Sequence, residues 1–119
     1  MNQLERSKKI AECIYLAMHH KNASDIKVLN VTDITTLADI FIIATASNSR
    51  LAAALSDEVE EKLKEQGYQC TNKEGYQTAR WILLDCEGVM VHIFHEEEAA
   101  FYKLDRLWSD GKEINFNIK

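Results

Sequence analysis

The sequence predicts a single α/β (α+β) domain: a mixed β-sheet of about five strands with flanking helices. Three observations carry that prediction. Helical and strand periods of hydropathy follow one another in the order α-β-β-α-β-β-β-α. The 119 residues are enough for one hydrophobic core and too few for two. With no proline and 4 glycines, the chain has little material for long irregular linkers. The domain is read as residues 1–111, followed by a tail at 112–119.

Each element has its own reason. Leu4, Ala11, Ile14 and Met18 recur at helical spacing, with Glu5, Lys8, Lys9 and Glu12 between them, so Leu4 to Met18 is an amphipathic helix. His19, His20 and Lys21 follow, groups suited to the negative end of the helix dipole. Ile26 to Val31 and Ile40 to Ala44 are rich in β-branched residues and flank a Thr/Asp-rich connection, which reads as two strands. Ser47, Asn48 and Ser49 offer capping side chains for a helix from about Arg50 to Gln66. Its stripe is Leu51, Leu55, Val59 and Leu63, and Gly67 ends it.

Tyr68 to Thr71 reads as a short strand before a turn at Asn72-Lys73-Glu74-Gly75. Trp81 to Cys86 and Val89 to Phe94 are strands joined by a tight hairpin at Glu87-Gly88. Glu96 to Glu98 stand where a helix N-terminus favours negative charge, ahead of a helix built on Phe101, Leu104 and Trp108. In the tail, Ile114, Phe116 and Ile118 alternate with polar residues, as in an added strand or a partner-binding arm, or the tail is simply a frayed end.

A two-residue loop at Glu87-Gly88 fixes a register. Cys86 pairs with Val89, Asp85 with Met90, Leu84 with Val91, Leu83 with His92, Ile82 with Ile93 and Trp81 with Phe94. One face then carries Ile82, Leu84, Cys86, Val89, Val91 and Ile93, a purely apolar set suited to the core. The other carries Trp81, Leu83, Asp85, Met90, His92 and Phe94. That mixture of aromatics, Met and a few polar groups suits a protein-binding patch. The other reading is that a helix of the same chain covers this face and leaves Trp81 an ordinary core residue.

The net charge of -5, from 14 basic and 19 acidic side chains, gives little help at bare nucleic acid and argues against direct DNA binding. It matches a basic protein surface better. Cys13, Cys70 and Cys86 are widely spaced, form no CxxC pair and indicate no disulfide framework. With no signal-peptide pattern in MNQLERSKKI and no membrane-length apolar run, the expectation is a soluble, cytoplasmic protein.

The segments ADIFIIATASNSR, DEVEEKLKEQG, EGYQTARWILLDCEGVMVHIF and FYKLDRLW, in that order, closely resemble the ribosomal silencing factor family, RsfS, also called Iojap-like. The resemblance runs from about Leu4 to Trp108. It implies a fold related to the nucleotidyltransferases and usually a homodimer. It also implies binding to the universal large-subunit ribosomal protein numbered fourteen, which blocks subunit joining and represses translation. Organellar relatives are associated with ribosome assembly, an alternative role. Among the positions that match the family pattern, Trp81, Leu83, Asp85 and His92 are the expected docking residues, with Met90 and Phe94 on the same face and Glu74, Gly75 and Tyr76 as a neighbouring loop. Ala46 stands where the family usually has glycine, Ala99 where arginine is common, and Glu87-Gly88 where Gly-Asp is usual.

The competing class is a nucleotidyltransferase-like enzyme. It needs a Gly-Ser pair at a helix start and carboxylates, commonly Asp-x-Asp, for divalent metal. Ala46-Ser47 lacks the glycine, YQCTNKE lacks the carboxylate pair, and Asp85 with Glu87 lies far downstream at a hairpin tip. His92 and His95 point to opposite faces of a strand, and pairing puts Cys86 and His92 on different faces. The expectation is therefore a binding protein with no catalytic residues, metal or cofactor.

Overall fold

In a computed structural model of the chain, residues 2–23, 25–96, 112–114 and 116 are described. The elements are α1 (Gln3–His20), β1 (Asp25–Asn30), β2 (Ile40–Ala46), α2 (Ser49–Glu65), β3 (Asn72–Glu74), β4 (Trp81–Cys86), β5 (Val89–His95) and β6 (Lys112–Glu113). The helix expected after Glu96 lies outside the described residues.

The strands form one mixed sheet in the order β3-β4-β5-β2-β1-β6. Among the described residues only β2 and β5 run parallel; the other pairs are antiparallel. The α2 crossover between β2 and the second half of the sheet is what permits that parallel pair. Among the described residues the sheet has six strands rather than about five, because the start of the tail adds β6 to the edge of β1.

Both helices lie on one face of the sheet. Ile10, Ala11, Ile14, Ala17 and Met18 of α1 are buried with Ala52, Leu55, Val59 and Leu63 of α2. They pack on Ile40, Ile42 and Ala44 of β2, Ile82 and Leu84 of β4, and Val91 and Ile93 of β5. Burying such side chains is the main favourable term holding the layers together, at about 25 cal/mol per Å² of apolar surface. Ile114 and Phe116 pack against the same core, the Phe116 ring lying 5.5 Å from that of Tyr15.

Local chemistry sets the helix ends. Asn2 caps α1 by accepting from Glu5 N at 2.8 Å, and Asn48 caps α2 by accepting from Leu51 N at 2.7 Å. Gly67, at φ 84°, ends α2 as Tyr68 N returns to Leu63 O at 2.8 Å.

Two sequence expectations need correction. The strand expected at Tyr68–Thr71 forms instead at Asn72–Glu74, where the sequence predicts a turn. Pairing with β4 decides this: Asn72, Lys73 and Glu74 oppose Asp85, Leu84 and Leu83. Partner availability outweighs their weak strand propensity. The cysteines are not all separate either, because Cys70 and Cys86 are joined in a disulfide, with Cα atoms 4.1 Å apart. The register of β3 on β4 brings these distant positions side by side, and Cys13 remains the free thiol.

A candidate protein-docking face

The β4–β5 hairpin closes through a two-residue turn with Glu87 at φ 49° and Gly88 at φ 96°. Two successive positive φ values match the twist of the flanking strands, and they fix the register. All six expected pairs form, from Cys86 with Val89 to Trp81 with Phe94. A Cβ at Gly88 would sit 2.7 Å from Ser7 Oγ, so a larger residue would make side chains of α1 shift at the turn. That serine donates to Asp39 Oδ2 at 2.9 Å.

Ile82, Leu84, Cys86, Val89, Val91 and Ile93 face the helices and are fully buried. The opposite face carries a second cluster of Leu29, Val31, Ala38, Phe41, Ile43 and Phe94, against which Trp81 and Met90 pack, half-buried. Among the described residues, no helix contributes to this cluster.

Trp81 rests on this floor through specific contacts. Its ring stacks on Phe94 at a centroid distance of 5.2 Å, and its indole Nε1–H donates to His92 Nδ1 at 3.3 Å. Phe41 meets the other side of the imidazole at 5.0 Å. Burial pulls the His92 pKa down to about 4, so the ring is neutral at pH 7. With Nδ1 accepting, the proton sits on Nε2, which is buried without a hydrogen-bond partner among the described residues.

The nine expected site residues therefore separate by depth. Trp81, Leu83, Asp85 and Met90 are half-buried and reach the surface, whereas His92 and Phe94 are only 7% and 1% exposed. The rings of Phe41 on β2 and Trp81 on β4 pack against His92, and Trp81 stacks on Phe94. His92 and Phe94 support Trp81 from beneath.

The neighbouring loop is drawn in by backbone contact. A Cβ on Gly75, at φ 78°, would collide with the Trp81 carbonyl, so only glycine lets this loop lie against Trp81. The β3–β4 register puts Asn72 and Glu74 on the same side as Leu83 and Asp85. Tyr76 turns the other way, its hydroxyl donating to Asp57 Oδ2 of α2 at 3.0 Å. Lys73 also faces α2, where it pairs with Glu60 at 2.7 Å and lies 3.7 Å from the Tyr76 ring centroid.

Two carboxylates thus frame the apolar centre, Glu74 exposed and Asp85 half-buried, and neither meets a cation among the described residues. Asp85 and Glu87, whose spacing would place them together on an extended strand, diverge. The turn swings Glu87 to the helix side, where it accepts from Arg6 at 2.8 Å and from Gln69 N at 2.8 Å. These bonds hold its carboxyl below the usual range, the Gln69 N–H contributing most.

A half-buried tryptophan on an apolar floor, edged by carboxylates that meet no cation among the described residues, has the composition common at protein interfaces. Comparison with known proteins gives it a context. Residues 4–119 match the family model described as ribosomal silencing factor during starvation. The chain belongs to the ribosomal silencing factor family. It is 36% identical over 111 residues to the ribosomal silencing factor RsfS of Bacillus subtilis, covering 93% of this chain and 91% of that protein. It is likewise 36% identical over 98 residues to RsfS of Halalkalibacterium halodurans, covering 82% and 84%. The chloroplastic protein Iojap of Zea mays is 29% identical, across 87% of this chain and 48% of its own length.

Among solved structures, a crystal structure from Bacillus halodurans superimposes with a TM-score of 0.81 at 30% identity, covering 92% of this chain and 99% of that one. One from Chromobacterium violaceum gives 0.82 at 28% identity, covering 94% and 92%. The mixed sheet is thus that of known folds, and RsfS membership rests on most of the chain rather than on one motif. No helix among the described residues is long and apolar enough to cross a membrane.

Proposed function

We propose that this chain acts by binding: it docks on the large ribosomal subunit through the universal protein fourteen and sterically prevents the small subunit from joining. The observation that supports this most is the Trp81 face. There an indole held by His92 and Phe94 stands in a half-buried apolar strip, beside Glu74 and Asp85, which meet no cation among the described residues. Apolar anchors supply the affinity of such a contact, and acidic groups at the rim favour a basic partner. Family membership supports the ribosome as that partner. A cytoplasmic location and a homodimeric form of the free protein belong to the same reading.

The catalytic alternative gains nothing from the geometry, since Asp85 and Glu87 face opposite sides of the sheet. The deciding experiment is co-sedimentation of the purified protein with large subunits, beside a subunit-joining assay. Trp81→Ala is expected to lose binding by at least about 2 kcal/mol while keeping its secondary structure. A well-folded Trp81→Ala protein that still binds and still blocks joining would remove this face from the mechanism.

A further inference from the structure

The connection between β1 and β2 carries a feature that the strand pattern does not account for. Leu37 is 74% exposed and Ile34 38% exposed, although both belong to an ordered turn. Val31 N donates to Asp39 O at 2.9 Å, Ile34 N and Thr35 N to Val31 O at 3.0 Å each, and Leu37 N to Thr35 Oγ1 at 3.1 Å. Leu37 is therefore presented to solvent by a braced loop. An exposed leucine on a rigid support loses little conformational entropy when a partner covers it.

The loop is also rooted in the docking face. Val31 and Ala38 are buried members of the cluster that supports Trp81 and Met90. In register, Met90 opposes Phe41 of β2 on one side and Asp85 of β4 on the other. Trp81, Leu83 and Met90 thus form a strip that runs toward the end of the sheet where the Leu37 loop emerges.

We propose that Leu37 is a second anchor of this docking surface and inserts into an apolar recess on a basic protein. The proposal rests on the reading given under Proposed function and adds the β1–β2 loop to it. Charge selects the occupant. Glu74 and Asp85 edge the strip, and the chain carries a net charge of -5; Asp33 in the loop itself is already paired with Lys112 at 3.8 Å and adds little. A second copy would bring like charges against these groups, whereas a basic surface neutralises them.

The test measures binding of purified large ribosomal subunits to Leu37→Asp, Leu37→Ala and Trp81→Ala proteins, with thermal melting as the folding control. Because Leu37 is exposed, both its variants are expected to melt like the parent. Leu37→Ala should weaken binding about ten-fold or more, and Leu37→Asp further still. If Leu37→Asp binds within about two-fold of the parent while Trp81→Ala is lost, the second anchor is wrong and the docking face survives. If the parent does not bind, or Trp81→Ala binds normally, the underlying reading falls and Leu37 falls with it. If Leu37→Asp alters the oligomeric state in light scattering but leaves subunit binding intact, the loop contacts a second copy and the assignment to a basic partner is overturned.

Discussion

The Trp81 indole N–H donates to Nδ1 of His92 at 3.3 Å, and that bond ties the half-buried part of the proposed docking face to its buried floor. Its cost is a buried imidazole that must stay neutral. The His92 pKa falls from 6.5 to about 4 through desolvation, so between those values the unfolded chain binds more protons than the folded one. His92 therefore imposes no penalty above about pH 6.5. As pH falls toward 4 it destabilises the fold, by about 3 kcal/mol over the whole window. Urea denaturation of the parent and of His92→Gln at several pH values checks this, since glutamine retains an acceptor for the indole. The parent should lose more stability than the variant on acidification. Parallel curves would show that His92 does not titrate as its burial requires.

The carboxylates predict a different signature. Glu74 and Asp85 sit at the rim, where charge steers encounter more than it holds the complex together. Removing both as Glu74→Gln and Asp85→Asn should slow association with large subunits several-fold at low ionic strength. The deficit should shrink as salt screens the interaction, the Debye length falling to about 3 Å at 1 M. Real-time binding at two salt concentrations separates the rates. An unchanged association rate at low salt would mean that these groups do not face the partner.

Much of this face was legible because one local feature fixes it. Glu87-Gly88 makes a two-residue turn, and a two-residue turn assigns every residue of both strands to a side. Alternation assigns sides but not depth. That His92 and Phe94 are floor while Trp81 is half-buried depends on the rings packed over them, Phe41 from β2 and Trp81 itself, and the hairpin alone does not encode β2 as the neighbour. β3 escaped because Asn72-Lys73-Glu74 has almost no strand propensity and is held by its partner. The Cys70–Cys86 link escaped with it, since it follows from that same pairing. Leu37 escaped because a Thr/Asp-rich connection reads as solvated chain, and nothing local says that its apolar members are braced outward.

Gly75 and Gly67 form a natural comparison. Both have positive φ, 78° and 84°, but a Cβ at Gly67 meets nothing within 4 Å whereas one at Gly75 collides with the Trp81 carbonyl. Gly67→Ala should cost only the backbone preference, about 1 kcal/mol. Gly75→Ala should cost more, about 1–3 kcal/mol, and should shift Glu74 away from Asp85. Thermal melts of the two variants, beside large-subunit binding, test both statements. Equal melting temperatures with undisturbed binding would show that the loop does not need its close approach to Trp81.

The disulfide makes the last prediction. Cys70 and Cys86 are 16 residues apart in sequence, and closing a loop of that size removes freedom from the unfolded chain worth about 3 kcal/mol. Reduction, or Cys70→Ser, should therefore lower stability by about that amount, and the two treatments should not add. Cys70 is the better position to change, because it is half-buried whereas Cys86 is fully buried in the core. The link also anchors the approach to β3, where Thr71 N donates to Asp85 O at 2.7 Å. Backbone amides from Thr71 to Glu74 should therefore exchange faster in the reduced protein than in the oxidised one, while those of β5 change less. Chemical denaturation with and without reductant measures the first effect, and hydrogen exchange the second. If reductant leaves the parent's midpoint and its β3 exchange unchanged, the Cys70–Cys86 bond does not hold this edge of the docking face in place.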